Sequence, residues 1–284
     1  DELSLYGRFD FILAKDGTPK ILEFNADTPT SLLEASVIQW QWKEDVFPEC
    51  DQFNGIHEGL VQSWKDIFPK KGEIHFAGAL ENNEDTGTLQ YLASTAMEAG
   101  FSTRVLDMQA LDLQNGRFFD PAGELVNRCF KLYPWEWMVD ESPDGCLAEM
   151  EWLEPIWKLV MSNKAILATL YELFPDSPYV LPCYLSRPRS GLFCKKPVFS
   201  REGHNVSVVD IRDWEEYVRI AETEGDYNTG AYVYQEYVEP TAYSGRYPVI
   251  GSWIIGGEAA GIGIRENRME VTDNLSEFVP HIIG

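Results

Sequence analysis

The chain has 284 residues, of which 44% are hydrophobic and 13% aromatic, enough for one large core or two smaller ones. Its 46 acidic and 23 basic residues give a formal net charge of −23, which argues against nucleic acid or an anionic membrane as the main partner. This charge is compatible with a cationic substrate, such as a polyamine, and with Mg²⁺. A surface charge that only maintains solubility explains it equally well.

The five cysteines are scattered and never form a CxxC pair, which predicts a reducing, cytoplasmic compartment. No apolar run reaches the ~18 residues of a membrane span, and no signal peptide opens the chain. The sequence begins at Asp1, directly before a predicted strand, so we expect the natural N-terminus to lie further upstream.

Residues 7–31 predict a β-hairpin around an Asp-Gly dipeptide, which is favoured in two-residue turns. Strand alternation puts Arg8 and Asp10 on one face of the first strand, and Glu23 and Asn25 on the same face of the second. A two-residue turn then places Asp10 opposite Glu23 and Arg8 opposite Asn25.

Two carboxylates that face each other across a strand pair repel unless a cation lies between them. The oxygens of Asp, Glu and Asn suit a hard ion, so Asp10, Glu23 and Asn25 allow a Mg²⁺ site. The alternative is an amphipathic hairpin with a solvated polar face. Pro19 also permits a longer turn, which would shift the register.

The elements predicted after the hairpin are a helix from a Ser31–Glu34 capping box to about residue 42, a helix over 56–68, a strand over 74–80, a helix over about 87–99 and a strand over about 101–107. The last three form a βαβ unit and hence an α/β lobe. Ligands favour the C-terminal ends of such strands, which singles out Glu81, Glu84 and Asp85. A solvated turn explains the same residues.

The middle of the chain is harder to interpret, although an Asn-Gly pair at 115–116 indicates a hairpin, and 126–134 a strand that presents Lys131. Asn163 is predicted to cap a helix, with Lys164 in its first turn. A lysine there is unfavourable against the helix dipole, so it either turns to solvent or meets an anion.

Residues 192–210 predict a strand, a polar loop with Gly203 and a second strand. Backbone N–H groups of such a loop can bind phosphates, although a simple turn is the commoner explanation. Neither a Walker A sequence nor a Rossmann fingerprint is present. The elements predicted next are a helix over about 213–223 and three β-rich runs at 232–240, 246–257 and 258–266.

Together, these stretches resemble the glutathionylspermidine synthase-like family of ATP-grasp ligases, most closely its shorter, single-domain acid–amine ligases. The motifs that carry the resemblance occur in the family's order and are GRFDF (7–11), LEFNADTPTSLLEA (22–35), SNKAIL (162–167), KKP with SREGHN (195–205), YQEYVEP (234–240), GIR (263–265) and FVPHII (278–283). The resemblance implies an α+β protein with the ATP-grasp fold in the permuted, glutathione synthetase-like order, and an α/β, preATP-grasp-like lobe. From the resemblance we also expect the family's N-terminal part to be missing from this sequence.

The resemblance also implies how the chain is divided. We expect one catalytic unit made of three segments: the metal-site hairpin and helices of the ligase core (1–71), the α/β substrate lobe (72–125), and the nucleotide-binding lobe with the closing strands (126–284). The sequence leaves the oligomeric state open.

The family's functional residues carry over to matching positions of this chain. The implied metal ligands, for two Mg²⁺ ions, are Asp10, Glu23 and Asn25. The implied catalytic residues are Arg8, which stabilises the transferring group, and Arg201 in the glycine loop. The implied ATP-binding residues are Lys164, Lys196, Gly203, Gln235, Glu236 and Tyr237. The implied substrate-binding residues are Thr28, Ser31, Glu84, Asp85 and Arg265.

The implied activity is an ATP- and Mg²⁺-dependent ligase that phosphorylates a carboxylate and lets an amine attack the acyl phosphate. Its substrates would be glutathione or a related peptide and a polyamine. Two alternatives stay open: a catalytically inactive ATP-binding or regulatory relative, and a small-molecule kinase. Replacing Asp10 or Glu23 with its amide is expected to abolish turnover, keep the fold and even stabilise it by relieving their repulsion.

Overall fold

The computed structural model describes residues 3–201, 203–213, 217–225, 227, 230–268 and 276–284. Its described helices are a π-helical segment (Glu34–Ile38), α1 (Gln39–Val46), α2 (Ile56–Ile67), α3 (Asn83–Glu98), α4 (Trp135–Glu141), α5 (Pro143–Cys146), α6 (Lys158–Ser162) and α7 (Ile166–Leu173). A short 3₁₀ turn covers Met108–Ala110. No helix in the described parts of the chain is both long and apolar enough to cross a membrane.

The strands run from one end of the chain to the other. They are β1 (Tyr6–Leu13), β2 (Pro19–Asn25), β3 (Glu73–Gly78), β4 (Ser102–Asp107), β5 (Asp112–Gln114), β6 (Arg117–Phe119), β7 (Leu125–Val126), β8 (Arg128–Leu132), β9 (Glu151–Leu153), β10 (Cys183–Tyr184), β11 (Gly191–Pro197), β12 (Ser207–Ile211), β13 (Tyr217–Glu222), β14 (Tyr232–Glu236), β15 (Tyr247–Ile255), β16 (Glu258–Asn267) and β17 (Glu277–Val279).

The described strands form a mixed α/β architecture of four sheets. The hairpin sheet is antiparallel, in the order β17-β16-β15-β1-β2, and a second antiparallel sheet has the order β10-β14-β11-β12-β13. A parallel sheet has the order β4-β3-β8-β9, and β5, β6 and β7 form a small antiparallel sheet. Because β1 pairs with β15, the N-terminal hairpin is completed by strands from the other end of the chain.

The main core lies between the hairpin sheet and the parallel sheet, where α2 contributes its apolar face. Ile56, Leu60 and Trp64 recur at helical spacing and are fully buried, which confirms the helix predicted over 56–68. Burial of each such side chain stabilises the fold by about 2 kcal/mol. The Trp64 indole Nε1 donates to Thr95 Oγ1 on α3 at 2.9 Å, which satisfies its one polar group in the core.

The predicted βαβ unit is confirmed as β3, α3 and β4, with β3 and β4 parallel from Glu73 opposite Ser102 onward. The parallel sheet also includes β8 and β9, so it extends past the boundary predicted at residue 125. Between β4 and β8 the chain forms the separate small sheet of β5, β6 and β7.

Two predicted local structures were wrong. The segment predicted as a helix over 213–223 contains the exposed edge strand β13, whose Tyr217 and Val218 pair with β12. Residues 214–216 lie outside the described residues. The capping box is also absent, since the π-helical segment begins at Glu34 without a side-chain cap. Ser31 instead adopts a left-handed backbone, with φ of +66°, and its carbonyl accepts from Ala35 N.

Candidate active site

The predicted pairing of the hairpin is confirmed where its polar residues lie, with Asp10 opposite Glu23 and Arg8 opposite Asn25. The turn differs from the prediction, because a bond from Ala14 N to Thr18 O closes a three-residue loop. That loop alone would shift the register by one residue. A β-bulge leaves Leu22 unpaired between the pairs of Ile21 and Glu23. From Glu23 onward, away from the turn, the strands therefore pair as predicted.

Asp10 is buried, at 2% exposure, between two arginines. Arg8 contacts both carboxylate oxygens, with Nε 2.6 Å from Oδ1 and Nη2 2.9 Å from Oδ2. Arg265, from β16, places its Nη2 2.9 Å from Oδ2 of the same carboxylate. The structure therefore brings together a predicted metal ligand, a predicted catalytic arginine and a predicted substrate arginine from distant parts of the chain.

Glu23 and Asn25 lie beside Asp10 on the neighbouring strand. Asn25 Nδ2 donates to Asp10 Oδ2 at 3.1 Å, and Lys164 Nζ is 2.9 Å from Glu23 Oε2. Two carboxylates and an amide are a donor set that fits Mg²⁺, which proteins usually hold by one or two carboxylates together with substrate phosphates. The described residues contain no group of three His, Cys, Asp or Glu side chains that could hold a metal ion by themselves.

The charge around Glu23 affects its protonation. Burial raises the pKa of the Glu23 carboxyl, but the cations of Lys164, Lys196 and Arg8 outweigh burial and lower this pKa from 4.5 to about 2. The carboxylate is therefore ionised at neutral pH and available as a ligand.

This depressed pKa makes a testable contribution to stability. Because the folded-state pKa of Glu23 lies below its unfolded value of 4.5, its stabilisation is present above that pH and is lost as the pH falls toward 2. The shift corresponds to on the order of 3 kcal/mol. We expect the free energy of unfolding, measured in urea between about pH 5 and pH 3, to fall more steeply for the wild type than for Glu23→Gln. Equal slopes for the two proteins would contradict this assignment.

A cleft that is partly open to solvent, called the main cleft, contains Asp10 and Glu23 of this site. Its lining residues come from the hairpin, the second antiparallel sheet and the loops beside it: Asp10, Ile12, Leu22, Glu23, Lys164, Leu181, Cys194, Lys196, Gly203, Val206, Gln235, Glu236, Tyr237, Val238, Pro240 and Val249. All six residues predicted to bind ATP are among them.

Lys196 is buried in this cleft, and burial lowers the pKa of its ammonium. Its Nζ donates to Gln235 Oε1 at 2.7 Å and to the carbonyl of the bulged Leu22 at 3.0 Å. Gln235 is buried as well, and its Nε2 donates to Ile21 O at 2.8 Å. Within the described residues Lys196 has no carboxylate in ion-pair range, so the cleft holds a cation that suits a phosphate.

Lys164 lies in the turn that precedes α7, where the Asn163 side chain accepts from Ala165 N at 2.8 Å. The Lys164 ammonium donates to Ser200 O at 2.6 Å in addition to its ion pair with Glu23. Of the two alternatives left open for Lys164, solvent was the default, but the structure shows the other, because the ammonium meets a carboxylate of the hairpin.

A second, smaller cavity, called the side pocket, adjoins the main cleft. Its lining residues are Glu23, Phe24, Asn25, Asp27, Thr28, Glu136, Ser162, Lys164, Phe199, Ser200 and Arg201. Arg201 donates to Thr28 Oγ1 at 2.6 Å and forms an ion pair with Glu136 on α4. The predicted catalytic Arg201 thus meets the predicted substrate residue Thr28, whereas Ser31, Glu84 and Asp85 are not among the lining residues of either cavity.

Sequence reasoning missed a buried network that fixes the end of the hairpin. Lys131 Nζ lies 2.7 Å from Asp27 Oδ1, and Asp27 Oδ2 accepts from Trp135 N at 2.9 Å. Lys158 Nζ donates to Tyr6 O and to Ala26 O, at the start of β1 and just after β2. The only sequence signal was a lysine inside an apolar strand.

Comparisons with known proteins identify the family of this chain. The sequence matches the family described as "Glutathionylspermidine synthase preATP-grasp" over residues 1–284. A Haemophilus influenzae protein named "Putative acid--amine ligase" is 39% identical over 98% of this chain and 74% of its own length. Trypanothione synthetase from Crithidia fasciculata is 28% identical over 96% of this chain, which spans only 46% of that protein.

A solved structure from Methylobacillus flagellatus, titled "Putative gamma-glutamylcysteine synthetase", superposes with a TM-score of 0.63 at 10% identity. It covers 98% of this chain and 80% of its own, and at this identity it supports the fold alone. The chain therefore belongs to the glutathionylspermidine synthase preATP-grasp family, an enzyme family whose named relatives here are an acid–amine ligase and a synthetase.

Proposed function

We propose that the protein is an ATP- and Mg²⁺-dependent carboxylate–amine ligase that works through an acyl phosphate. The observation that carries the proposal is the main cleft itself, where the buried ammonium of Lys196 and that of Lys164 lie beside the carboxylates of the hairpin. Paired cations for phosphates and carboxylates for a metal are what phosphoryl transfer from ATP requires.

In this proposal Asp10, Glu23 and Asn25 would hold two Mg²⁺ ions. When bound, the metal would supply positive charge that neutralises the phosphates. Lys164 and Lys196 bind nucleotide phosphates, and the loop with Gly203 covers them. Gln235 positions Lys196 through its 2.7 Å hydrogen bond, while Glu236 and Tyr237 border the base.

The chemistry consists of two displacements. A carboxylate oxygen of the acid attacks the γ-phosphorus, and ADP leaves. The amine nitrogen then attacks the acyl carbon, phosphate leaves, and a proton is lost from nitrogen. Arg8 stabilises the charge on the transferring group, for which a fixed guanidinium fork is suited, and Arg201 closes the site from the glycine loop.

The proposed substrates are a peptide acid such as glutathione and a polyamine-like amine, in keeping with the net charge of −23. Thr28, Ser31 and Arg265 are assigned to the peptide, and Glu84 and Asp85, in the first turn of α3, to the amine and the peptide. The finer fold assignment is the ATP-grasp fold in its permuted order, with the three segments acting as one catalytic unit.

An ADP-release screen that crosses small peptides and amino acids with polyamines tests the proposal on the full-length protein. We expect ADP and phosphate only when both an acid and an amine are present. Hydroxylamine in place of the amine should yield a hydroxamate, because it intercepts an acyl phosphate. ADP formation without hydroxamate would indicate a kinase, and ATP binding without turnover on any pair would indicate an inactive relative.

A further inference from the structure

The side pocket shares Glu23 and Lys164 with the main cleft, so a group bound in it lies next to the proposed phosphate site. Its walls come from the end of the hairpin, from α4, from the end of α6 and from the segment after β11. These elements are far apart in sequence, which makes the pocket a property of the assembled fold.

Four polar atoms of this pocket are buried without a hydrogen-bond partner among the described residues. They are Glu136 Oε2, Ser162 Oγ, Ser200 Oγ and Arg201 Nε. Polar atoms buried in this way cost free energy unless a ligand or an ordered water satisfies them. Four of them in one small cavity therefore indicate a binding site.

The chemistry of these atoms selects among ligands. Three of them are oxygens that can accept hydrogen bonds, and a primary ammonium has three N–H donors. Each lining carboxylate already faces a cation, since Glu23 pairs with Lys164, Asp27 with Lys131 and Glu136 with Arg201. The one carboxylate oxygen of the pocket left without a partner is Glu136 Oε2, which can only accept and therefore favours a donor group over an anion. A carboxylate that accepts from an ammonium forms a charge-assisted hydrogen bond, which is stronger than one from a neutral donor.

We propose that the side pocket binds a primary ammonium group of a substrate, and that Glu136 is the residue that selects for it. Ser162 and Ser200 supply the other two acceptors, and Arg201 Nε donates to a neighbouring acceptor on the same substrate. The inference rests on the proposed ligase function, in which the ammonium has two sources: the α-amino group of the peptide acid or a terminus of the polyamine.

Isothermal titration of the full-length protein with two matched probe pairs tests this. The first pair is glutathione and glutaryl-cysteinylglycine, which lacks the α-ammonium. The second is spermidine and an analogue whose terminal nitrogens are trimethylated. In one of the two pairs, the probe with the primary ammonium should bind at least about tenfold tighter, the effect of one charged hydrogen bond.

Glu136→Gln should abolish that difference, and Ser200→Ala should reduce it. Glu141→Gln is the matched control, because Glu141 ends the same helix and its carboxylate accepts from the exposed Tyr133 hydroxyl instead. The pair that responds to Glu136→Gln identifies the source of the ammonium. If either Glu136→Gln or Ser200→Ala has a melting temperature well below that of the wild type, the affinities are compared with the other of these two variants alone.

No ammonium-dependent difference in either pair, or a difference that both pocket variants retain, would overturn the proposal. The ligase proposal fails separately, through a lack of hydroxamate and of acid- and amine-dependent ADP release. If the protein turns over an acid–amine pair and Glu136→Gln leaves the binding affinity for both substrates unchanged, the ammonium site is rejected and the ligase proposal stands.

Discussion

The Asp10→Asn protein should lose at least about a hundredfold to a thousandfold of its ADP-forming activity, because a neutral amide is a poor ligand for Mg²⁺ and a poor partner for Arg8. It should also unfold more easily, by about 3 kcal/mol, since the substitution leaves two arginine side chains close together without the buried carboxylate that both contact. ADP release and urea denaturation measure the two effects.

This expectation reverses the sign of the stability effect predicted from sequence. Repulsion between Asp10 and Glu23 would have made the amide stabilising, but the arginines and Lys164 already neutralise both carboxylates. Asp16→Asn, in the exposed loop of the same hairpin, is the matched control and should keep both activity and stability. An active Asp10→Asn protein would disprove the metal assignment, and an unchanged unfolding energy would disprove the ion-pair argument.

Lys196→Met should weaken binding of a non-hydrolysable Mg²⁺–ATP analogue by about a hundredfold, the effect of losing a charge-assisted phosphate contact. Stability should change little, because methionine fills a similar volume and removes the cost of burying an ammonium, which offsets the loss of the donor to Gln235 Oε1 and Leu22 O. Titration calorimetry and thermal melting report the two quantities. Lys195 directly precedes Lys196, so the two lysines can be compared as phosphate ligands.

Lys195→Met is the control, since strand alternation sends Lys195 to the other face of β11, where its Nζ lies 3.8 Å from the centre of the Tyr232 ring. This variant should bind the nucleotide as the wild type does. If Lys195→Met loses binding and Lys196→Met keeps it, the assignment of the cleft lysine is wrong.

Local patterns explain why so much of the hairpin was predictable. Alternation assigns Arg8, Asp10, Glu23 and Asn25 to one face wherever the two strands pair, and that rule needs no tertiary information. The turn, by contrast, was mispredicted, and the pairing survived because the bulge at Leu22 compensates for the longer loop. Nothing local signals a bulge, and the carbonyl of the bulged Leu22 accepts from Lys196, a residue 174 positions away.

Segments with weak local preference were decided by their neighbours. The residues of β13 have helix-like spacing but extend along the free edge of β12, where backbone hydrogen bonds to an existing strand outweigh intrinsic propensity. The ion pair of Asp27 with Lys131 joins residues 104 positions apart, and no spacing rule relates them.

By itself, the sequence determined the polar face of the hairpin, the amphipathic α2 and the βαβ unit, since each depends on periodicity within one or two elements. Only the tertiary structure decided which cations meet those carboxylates. Arg265 reaches Asp10 because β15 lies between β16 and β1 in the sheet. Lys164 reaches Glu23 from the turn before α7. It alone also assembled the side pocket around Glu136. Charges separated by more than a hundred residues attract only after sheet topology has brought them within a few ångströms, and burial there makes the attraction strong.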